Sequence, residues 1–108
     1  MQPEGRPLFT VKTSTAGSRT DAHLHGELDM ATAAQLATVL DELRRSGSRL
    51  VVLDMARLDF LGAAGLSVLV RADSAFRADG GRIVLAGLTP IVRRILAITH
   101  LDAVLTIE

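Results

Sequence analysis

Residues 50–66 read LVVLDMARLDFLGAAGL, an apolar run followed by a more polar connection and then a stretch of small residues. Residues 50–53 show no alternation of apolar and polar side chains, a pattern typical of a central strand covered on both faces. Apolar side chains recur at helical spacing over residues 62–78, so we expect a helix there after a connection at residues 55–61. A buried strand followed by a helix is the repeating unit of α/β folds with parallel strands.

The segments before this unit predict a hairpin and a first helix. Residues 9–13 and 21–28 each alternate between apolar and polar side chains, which is the period of a half-buried strand. Turn-forming residues at 16–18 lie between them, so the two strands are expected to pair antiparallel. From Met30 the apolar positions change to helical spacing, and Gly47 is placed to end that helix.

The segments after the unit repeat the alternation of strand and helix. Residues 80–81 (GG) end the second helix, and residues 83–86 form another buried strand. Residues 89–90 (TP) predict the start of a third helix, with threonine as the cap and proline at the first helical position. Residues 104–107 close the chain as a last strand. The predicted fold is a single α/β domain with a mixed, mostly parallel β-sheet, an N-terminal antiparallel hairpin and three or more helices.

Length, charge and cysteine content limit the classes of function. The chain has 108 residues, enough for one domain, and we expect a flexible tail at residues 1–7 before a domain at residues 8–108. Twelve basic and twelve acidic residues balance, which argues against a nucleic-acid partner or a polybasic membrane patch. The chain has no cysteine and no apolar run long enough to span a bilayer. We therefore expect a cytoplasmic protein without direct membrane insertion, whose oligomeric state stays open.

The polar residues do not form a recognisable catalytic or metal-binding set. His23 and His25 lie on the predicted second strand, where we expect them to face opposite sides of the sheet and to lack a third ligand. Asp54 and Asp59 flank the end of the third strand, but no lysine follows a later strand to complete an acidic pocket of the receiver type. No phosphate-binding glycine motif and no serine–histidine–acid set is present. We therefore expect no enzymatic activity, no cofactor and no bound metal.

The start of the second helix carries no side chain that can cap it. Residues 62–65 read GAAG, whereas Ser, Thr, Asp or Asn commonly satisfies one of the free N–H groups of a helix start. One interpretation is a helix end solvated by water. The other is a surface on which small side chains let a partner approach the backbone and supply a carboxylate or another acceptor.

Three segments together resemble a known family: residues 26–29 (GELD), residues 50–54 (LVVLD) and residues 58–66 (LDFLGAAGL). From about Phe9 to its C-terminus the chain resembles STAS-domain proteins, and among them the bacterial anti-sigma factor antagonists. The resemblance implies a STAS-like domain that acts by binding. The implied partner is an anti-sigma factor, often one with a histidine-kinase-like ATP-binding fold, and its capture frees a sigma factor for transcription.

The sequence departs from this family at the start of the second helix. Switchable members begin that helix with Asp-Ser-Ser-Gly or Asp-Ser-Thr-Gly, and the first serine accepts phosphate from the anti-sigma kinase. Here Gly62 replaces the aspartate, Ala63 the phosphoacceptor and Ala64 the second hydroxyl residue. Alanine has no hydroxyl, so phosphorylation at residue 63 is excluded. Ser67, one helical turn later, is considered as a displaced phosphorylation site, although a solvated helix serine is the simpler interpretation.

The resemblance also implies a partner-binding surface around this helix start. We expect it to include an acceptor at the end of the second strand, an apolar contact and the small residues of the helix, namely Asp29, Leu61, Gly62, Ala63, Ala64 and Ser67. Asp29 is equally interpretable as a helix cap. Two other functions stay open: a STAS subunit that binds the ATPase of a lipid-transport ABC system, and a sensor of a small ligand such as a nucleotide. The identity of the partner or ligand distinguishes these three functions.

Overall fold

The computed structural model describes residues 8–108, which start with the predicted hairpin. Strands β1 (Phe9–Ala16) and β2 (Arg19–Leu28) pair antiparallel around a two-residue turn. Gly17 in this turn has a φ of +62°, a backbone conformation that glycine adopts at little cost. The tail expected at residues 1–7 lies outside the described residues and stays a prediction.

Three helices and three further strands follow the hairpin. They are α1 (Ala33–Arg45), β3 (Leu50–Leu61), α2 (Ala63–Ala78), β4 (Arg82–Ala86), α3 (Pro90–Ile98) and β5 (Thr106–Ile107), with a short 3-10 helix at Leu101–Ala103. Within residues 8–108 the strands form one sheet in the order β1-β2-β3-β4-β5, and every pair after the hairpin is parallel. This arrangement confirms the predicted α/β domain with a mixed, mostly parallel sheet.

The connection predicted at residues 55–61 is wrong, because β3 continues to Leu61. Met55, Leu58 and Leu61 are buried at a spacing of three residues, which hides the two-residue period of a strand. Two irregularities in the pairing of β3 with β2 accompany this spacing. β3 therefore leads directly into α2, with Gly62 as the only residue between them.

The three helices cover one face of the sheet. β3, β4 and β5 are each added next to the preceding strand, so the sheet grows toward one edge. Right-handed crossovers between these parallel strands therefore place every helix on the same face of the sheet. Side chains from the helices and the strands share one buried core, which includes Leu24, Leu36, Leu40, Leu53, Leu69, Phe76, Leu85, Val92 and Leu96. On the other face Val52 and Val84 are also buried, whereas the side chains of β2 there are exposed. That half of the sheet is therefore open.

Candidate functional site

The first turn of α2 is held close to the end of β2. Gly62 precedes the helix in an extended conformation (φ −101°, ψ −179°), and no side chain of the described residues caps the helix. The backbone N–H of Gly62 donates to the carbonyl oxygen of Leu28 at 3.0 Å. One turn later, Gly65 packs against Leu28 and Leu61 with no space for a side chain. The uncapped helix start is therefore placed beside the carboxyl ends of β2 and β3.

Asp29, predicted as an acceptor or a helix cap, organises the turn between β2 and α1. Its Oδ1 accepts hydrogen bonds from the backbone N–H groups of Ala31 at 2.9 Å and Thr32 at 3.2 Å. The hydroxyl of Thr32 donates to the carbonyl oxygen of Glu27 at 2.6 Å and accepts from the N–H of Asp29 at 3.0 Å. Within residues 8–108 the Oδ2 atom of Asp29 has no hydrogen-bond partner. One oxygen of this carboxylate thus caps the turn, while the other is available to an external donor.

Five of the six predicted contact residues lie on one surface. Ala63 and Ser67 are exposed one helical turn apart on α2, and Gly62 and Ala64 are partly exposed beside them. Asp29 directly follows Leu28, the residue whose carbonyl is bonded to Gly62, so it adjoins the helix start. The arrangement combines a carboxylate oxygen with backbone N–H groups that small side chains leave accessible.

The expectation of a surface contact from Leu61 is wrong. Its side chain is only 4% exposed and belongs to the core, where it packs against the first turn of α2. The preceding residue, Phe60, is 51% exposed instead. Its ring lies beside Gly62, because an ideal Cβ on Gly62 would be 3.0 Å from Cε2 of Phe60. The exposed apolar side chain beside the helix start is therefore that of Phe60, one residue before the predicted Leu61.

Met30 is a second exposed apolar residue that sequence reasoning missed. It follows Asp29 in the β2–α1 turn and is 88% exposed. Exposed large apolar side chains grouped with polar ones mark interaction surfaces. A usable signal was the presence of a large apolar residue directly after Asp29 and of another two residues before Gly62. We name Asp29, Met30, Phe60, Gly62, Ala63, Ala64 and Ser67 the strand-end surface.

The histidines of β2 are placed differently from the prediction. His23 and His25 are both exposed and alternate with the buried Ala22 and Leu24, so they lie on the same face of the sheet. Residues two apart on a strand share a face, and the expectation of opposite faces was wrong. Across residues 8–108, no group of three or more histidine, aspartate or glutamate side chains is arranged to hold a metal ion.

Within the described part of the chain, none of the helices has both the length and the apolar character needed to cross a bilayer. The longest, α2, has 16 residues and carries charged side chains in its second half.

Comparison with known proteins gives consistent matches. The family model of the STAS domain matches residues 12–108. BtrV of Bordetella bronchiseptica, which is named as an anti-sigma factor antagonist, is 38% identical over 78 residues, covering 72% of this chain and 67% of BtrV. The anti-sigma-B factor antagonist of Staphylococcus aureus is 24% identical over 93 residues, covering 86% of each chain.

Solved structures match the fold. An anti-sigma factor antagonist from Mycobacterium paratuberculosis superposes with a TM-score of 0.78 at 22% identity, covering 93% of this chain and 85% of that one. Unphosphorylated SpoIIAA of Bacillus, also an anti-sigma factor antagonist, gives a TM-score of 0.79 at 19% identity. The superposition covers 92% of this chain and 88% of SpoIIAA.

Proposed function

The chain belongs to the STAS domain family, and we propose that it is an anti-sigma factor antagonist, which binds an anti-sigma factor and so frees a sigma factor for transcription. The names of its relatives BtrV and the Staphylococcus aureus antagonist support this role. The protein would act by binding and not by catalysis, in the cytoplasm. The partner would have a histidine-kinase-like ATP-binding fold, as the family resemblance implies.

The observation that carries the proposal is the uncapped start of α2 within the strand-end surface. Among residues 8–108 the first-turn N–H groups have no side-chain acceptor, and the exposed Ala63 leaves the backbone open to close approach. An acceptor on the partner would satisfy these donors and gain from the helix dipole. Phe60 and Met30 would supply the apolar area that gives such a contact its affinity.

Regulation of this binding would differ from that of the switchable family members. A phosphoryl group adds about two negative charges to the helix start, which disrupts a close interface by repulsion and desolvation. Ala63 cannot accept phosphate, so binding would persist unless another residue or another protein controls it. Ser67 is exposed one turn later and is the alternative position for such a modification.

A pull-down from native cytosol with the full chain tests the function, using Ala63→Asp and Ala78→Asp as a matched pair. Both replace an exposed alanine of α2, one within the strand-end surface and one at the opposite end of the helix. We expect an ATP-binding anti-sigma protein to be retained by the wild type and by Ala78→Asp and lost with Ala63→Asp.

Other results would contradict the proposal. Capture of a transporter ATPase would assign the chain to the lipid-transport class of STAS subunits. If no partner is retained while a nucleotide raises the melting temperature of the isolated chain, the protein is a ligand sensor. Equal retention of the anti-sigma protein by both variants would exclude the start of α2 from the interface.

A further inference from the structure

A concave cleft of about 540 Å³ lies on the open face of the sheet, away from the helices. Its polar lining consists of Thr10, Lys12, His23, His25, Asp54 and Arg57. Strand pairing explains how residues far apart in sequence meet there. On β1, Lys12 is paired with His23 and Thr10 with His25. On β3, Asp54 is paired with His23, and Arg57 with His25.

An irregularity in β3 brings Arg57 into this cleft. His23 pairs with Asp54, so regular parallel pairing would place Ala56 beside His25. The register shifts by one residue, and Arg57 lies beside His25 instead. Oδ1 of Asp54 accepts a hydrogen bond from the N–H of Ala56 at 3.0 Å, which holds the irregularity in place. Gly87, which follows the end of β4, packs against this irregularity. An ideal Cβ on Gly87 would lie 2.7 Å from Oδ1 of Asp54. The position of Arg57 is therefore built into the fold.

The charges in the cleft favour an anion. Lys12 and Arg57 supply basic side chains to the lining, and neither has an ion-pair partner within 4.0 Å among residues 8–108. Among residues 8–108, Asp54 is the one carboxylate of the lining, and both of its oxygens are engaged, Oδ1 with Ala56 and Oδ2 with Nδ1 of His23 at 3.1 Å. The pairing of His23 through Nδ1 leaves its Nε2 to face a ligand. Two basic side chains without an ion-pair partner in the described part of the chain thus line one concave surface together with two imidazoles.

We propose that this cleft binds a tetrahedral oxyanion of the phosphate class, either free orthophosphate or the phosphate group of a small phosphomonoester. The planar guanidinium of Arg57 suits two oxygens of such a group, and the ammonium of Lys12 contributes a point charge. Thr10 and the histidines add hydrogen-bonding groups around them. The site is separate from the strand-end surface and does not depend on the proposed partner.

Nuclear magnetic resonance of the ¹⁵N-labelled full chain tests the site, with orthophosphate and phenyl phosphate as probes. Titrations with each probe at one fixed pH are compared with a titration with sodium chloride at equal ionic strength. We expect saturable shifts of the amides of Lys12, His23 and Arg57, with half-saturation on the order of 1–10 mM. Lys12→Gln and Arg57→Gln should each weaken binding about fivefold or more.

Arg71→Gln is the matched control, because Arg71 is also exposed but lies on α2 in the helical layer. It should leave the half-saturation concentration unchanged. Saturation with both probes supports a phosphate group that is free or esterified, and saturation with orthophosphate alone supports free phosphate. Shifts that grow linearly, that lie outside the cleft, or that Lys12→Gln and Arg57→Gln do not weaken would overturn the proposal.

Discussion

Gly65 and Leu28 are packed so closely that an ideal Cβ on Gly65 would lie 2.7 Å from Cγ of Leu28 and 2.9 Å from its Cδ2. Leu28 is completely buried and has no open space into which to move. We therefore expect Gly65→Ala to lower the free energy of unfolding by about 1–3 kcal/mol through overpacking, despite the better helix propensity of alanine. Urea denaturation followed by circular dichroism measures this change.

Ser74→Ala is the control for this substitution, since Ser74 is exposed on the same helix. It should change the free energy of unfolding by no more than about 0.5 kcal/mol. If Gly65→Ala is as harmless as Ser74→Ala, the contact with Leu28 does not hold the start of α2 in place.

The element order was predictable because each element has a clear period and clear ends. The second strand alternates over residues 21–28, and the buried face of β2 follows that alternation. The third helix begins as predicted, with the hydroxyl of Thr89 accepting from the N–H of Val92 at 3.4 Å and Pro90 in the first turn. These features depend on local chemistry alone, so they can be predicted from a single sequence.

The end of β3 was not predictable in the same way. Its two register shifts depend on how β2 lies beside it, and that pairing is a tertiary property. The shifts decide that Leu61 points into the core and Phe60 out of it. A sequence shows two adjacent apolar residues there and cannot tell which one faces the solvent. The small residues at the start of α2 were therefore recognisable from the sequence, while the exposed apolar residue beside them was predicted one position too late.

Phe60 is expected to contribute to partner binding more than to stability. Its side chain is 51% exposed and lies beside Gly62 at the start of α2. Because aromatic residues often dominate the energy of an interface, Phe60→Ala should weaken binding of the captured partner by about tenfold or more. Isothermal titration calorimetry measures the dissociation constant.

Ile98→Ala is the comparison for Phe60→Ala, because Ile98 is 67% exposed at the end of α3, outside the strand-end surface. It should leave the dissociation constant unchanged. Equal loss of affinity in both variants, or none in either, would remove Phe60 from the interface.

Arg77 is expected to stabilise the fold through a buried carboxylate. Asp73 on α2 is 3% exposed, and its Oδ2 accepts from Nε of Arg77 at 2.9 Å. Oδ1 of Asp73 has no hydrogen-bond partner within the described residues, so the ion pair is the main compensation for its burial. Arg77→Gln should lower the free energy of unfolding by about 1–3 kcal/mol. Thermal and urea unfolding measure the loss, and Arg71→Gln, exposed on the same helix, should cost far less if this account is right.

The pKa of Asp21 should depend on Arg19. The guanidinium of Arg19 donates to both oxygens of Asp21, at 3.2 Å and 3.0 Å, and this hydrogen bonding holds the pKa of the carboxyl below its ordinary value. A carboxyl with a lowered pKa in the folded state adds stability at pH values above its unfolded pKa. That stability is lost as the pH falls through the folded pKa. Arg19→Gln should therefore raise the pKa of Asp21, and side-chain carboxyl shifts recorded across an acid titration measure it. An unchanged titration curve would show that the ion pair does not persist in solution.

Restoring the first two residues of the family's phosphoacceptor motif tests whether residues 62 and 63 alone separate this chain from a switchable one. Gly62→Asp with Ala63→Ser fits the structure, because the nearest atom to a Cβ at 62 belongs to the exposed ring of Phe60, which can move. Aspartate is also a favourable residue at a helix N-cap. The double variant, incubated with ATP and the captured ATP-binding partner, should gain one phosphoryl group by intact mass and then lose affinity for that partner.

The wild type should gain no phosphoryl group under the same conditions. The extent of phosphorylation of Ala63→Ser alone, compared with that of the double variant, measures the contribution of the aspartate at residue 62. Adding Ser67→Ala to the double variant should leave the phosphorylation unchanged, because the new serine would be the acceptor. Phosphorylation that disappears with Ser67→Ala, in the double variant or in the wild type, would place the switch at Ser67. No transfer to the double variant from a partner that binds ATP would show that the partner is not a kinase for this helix start.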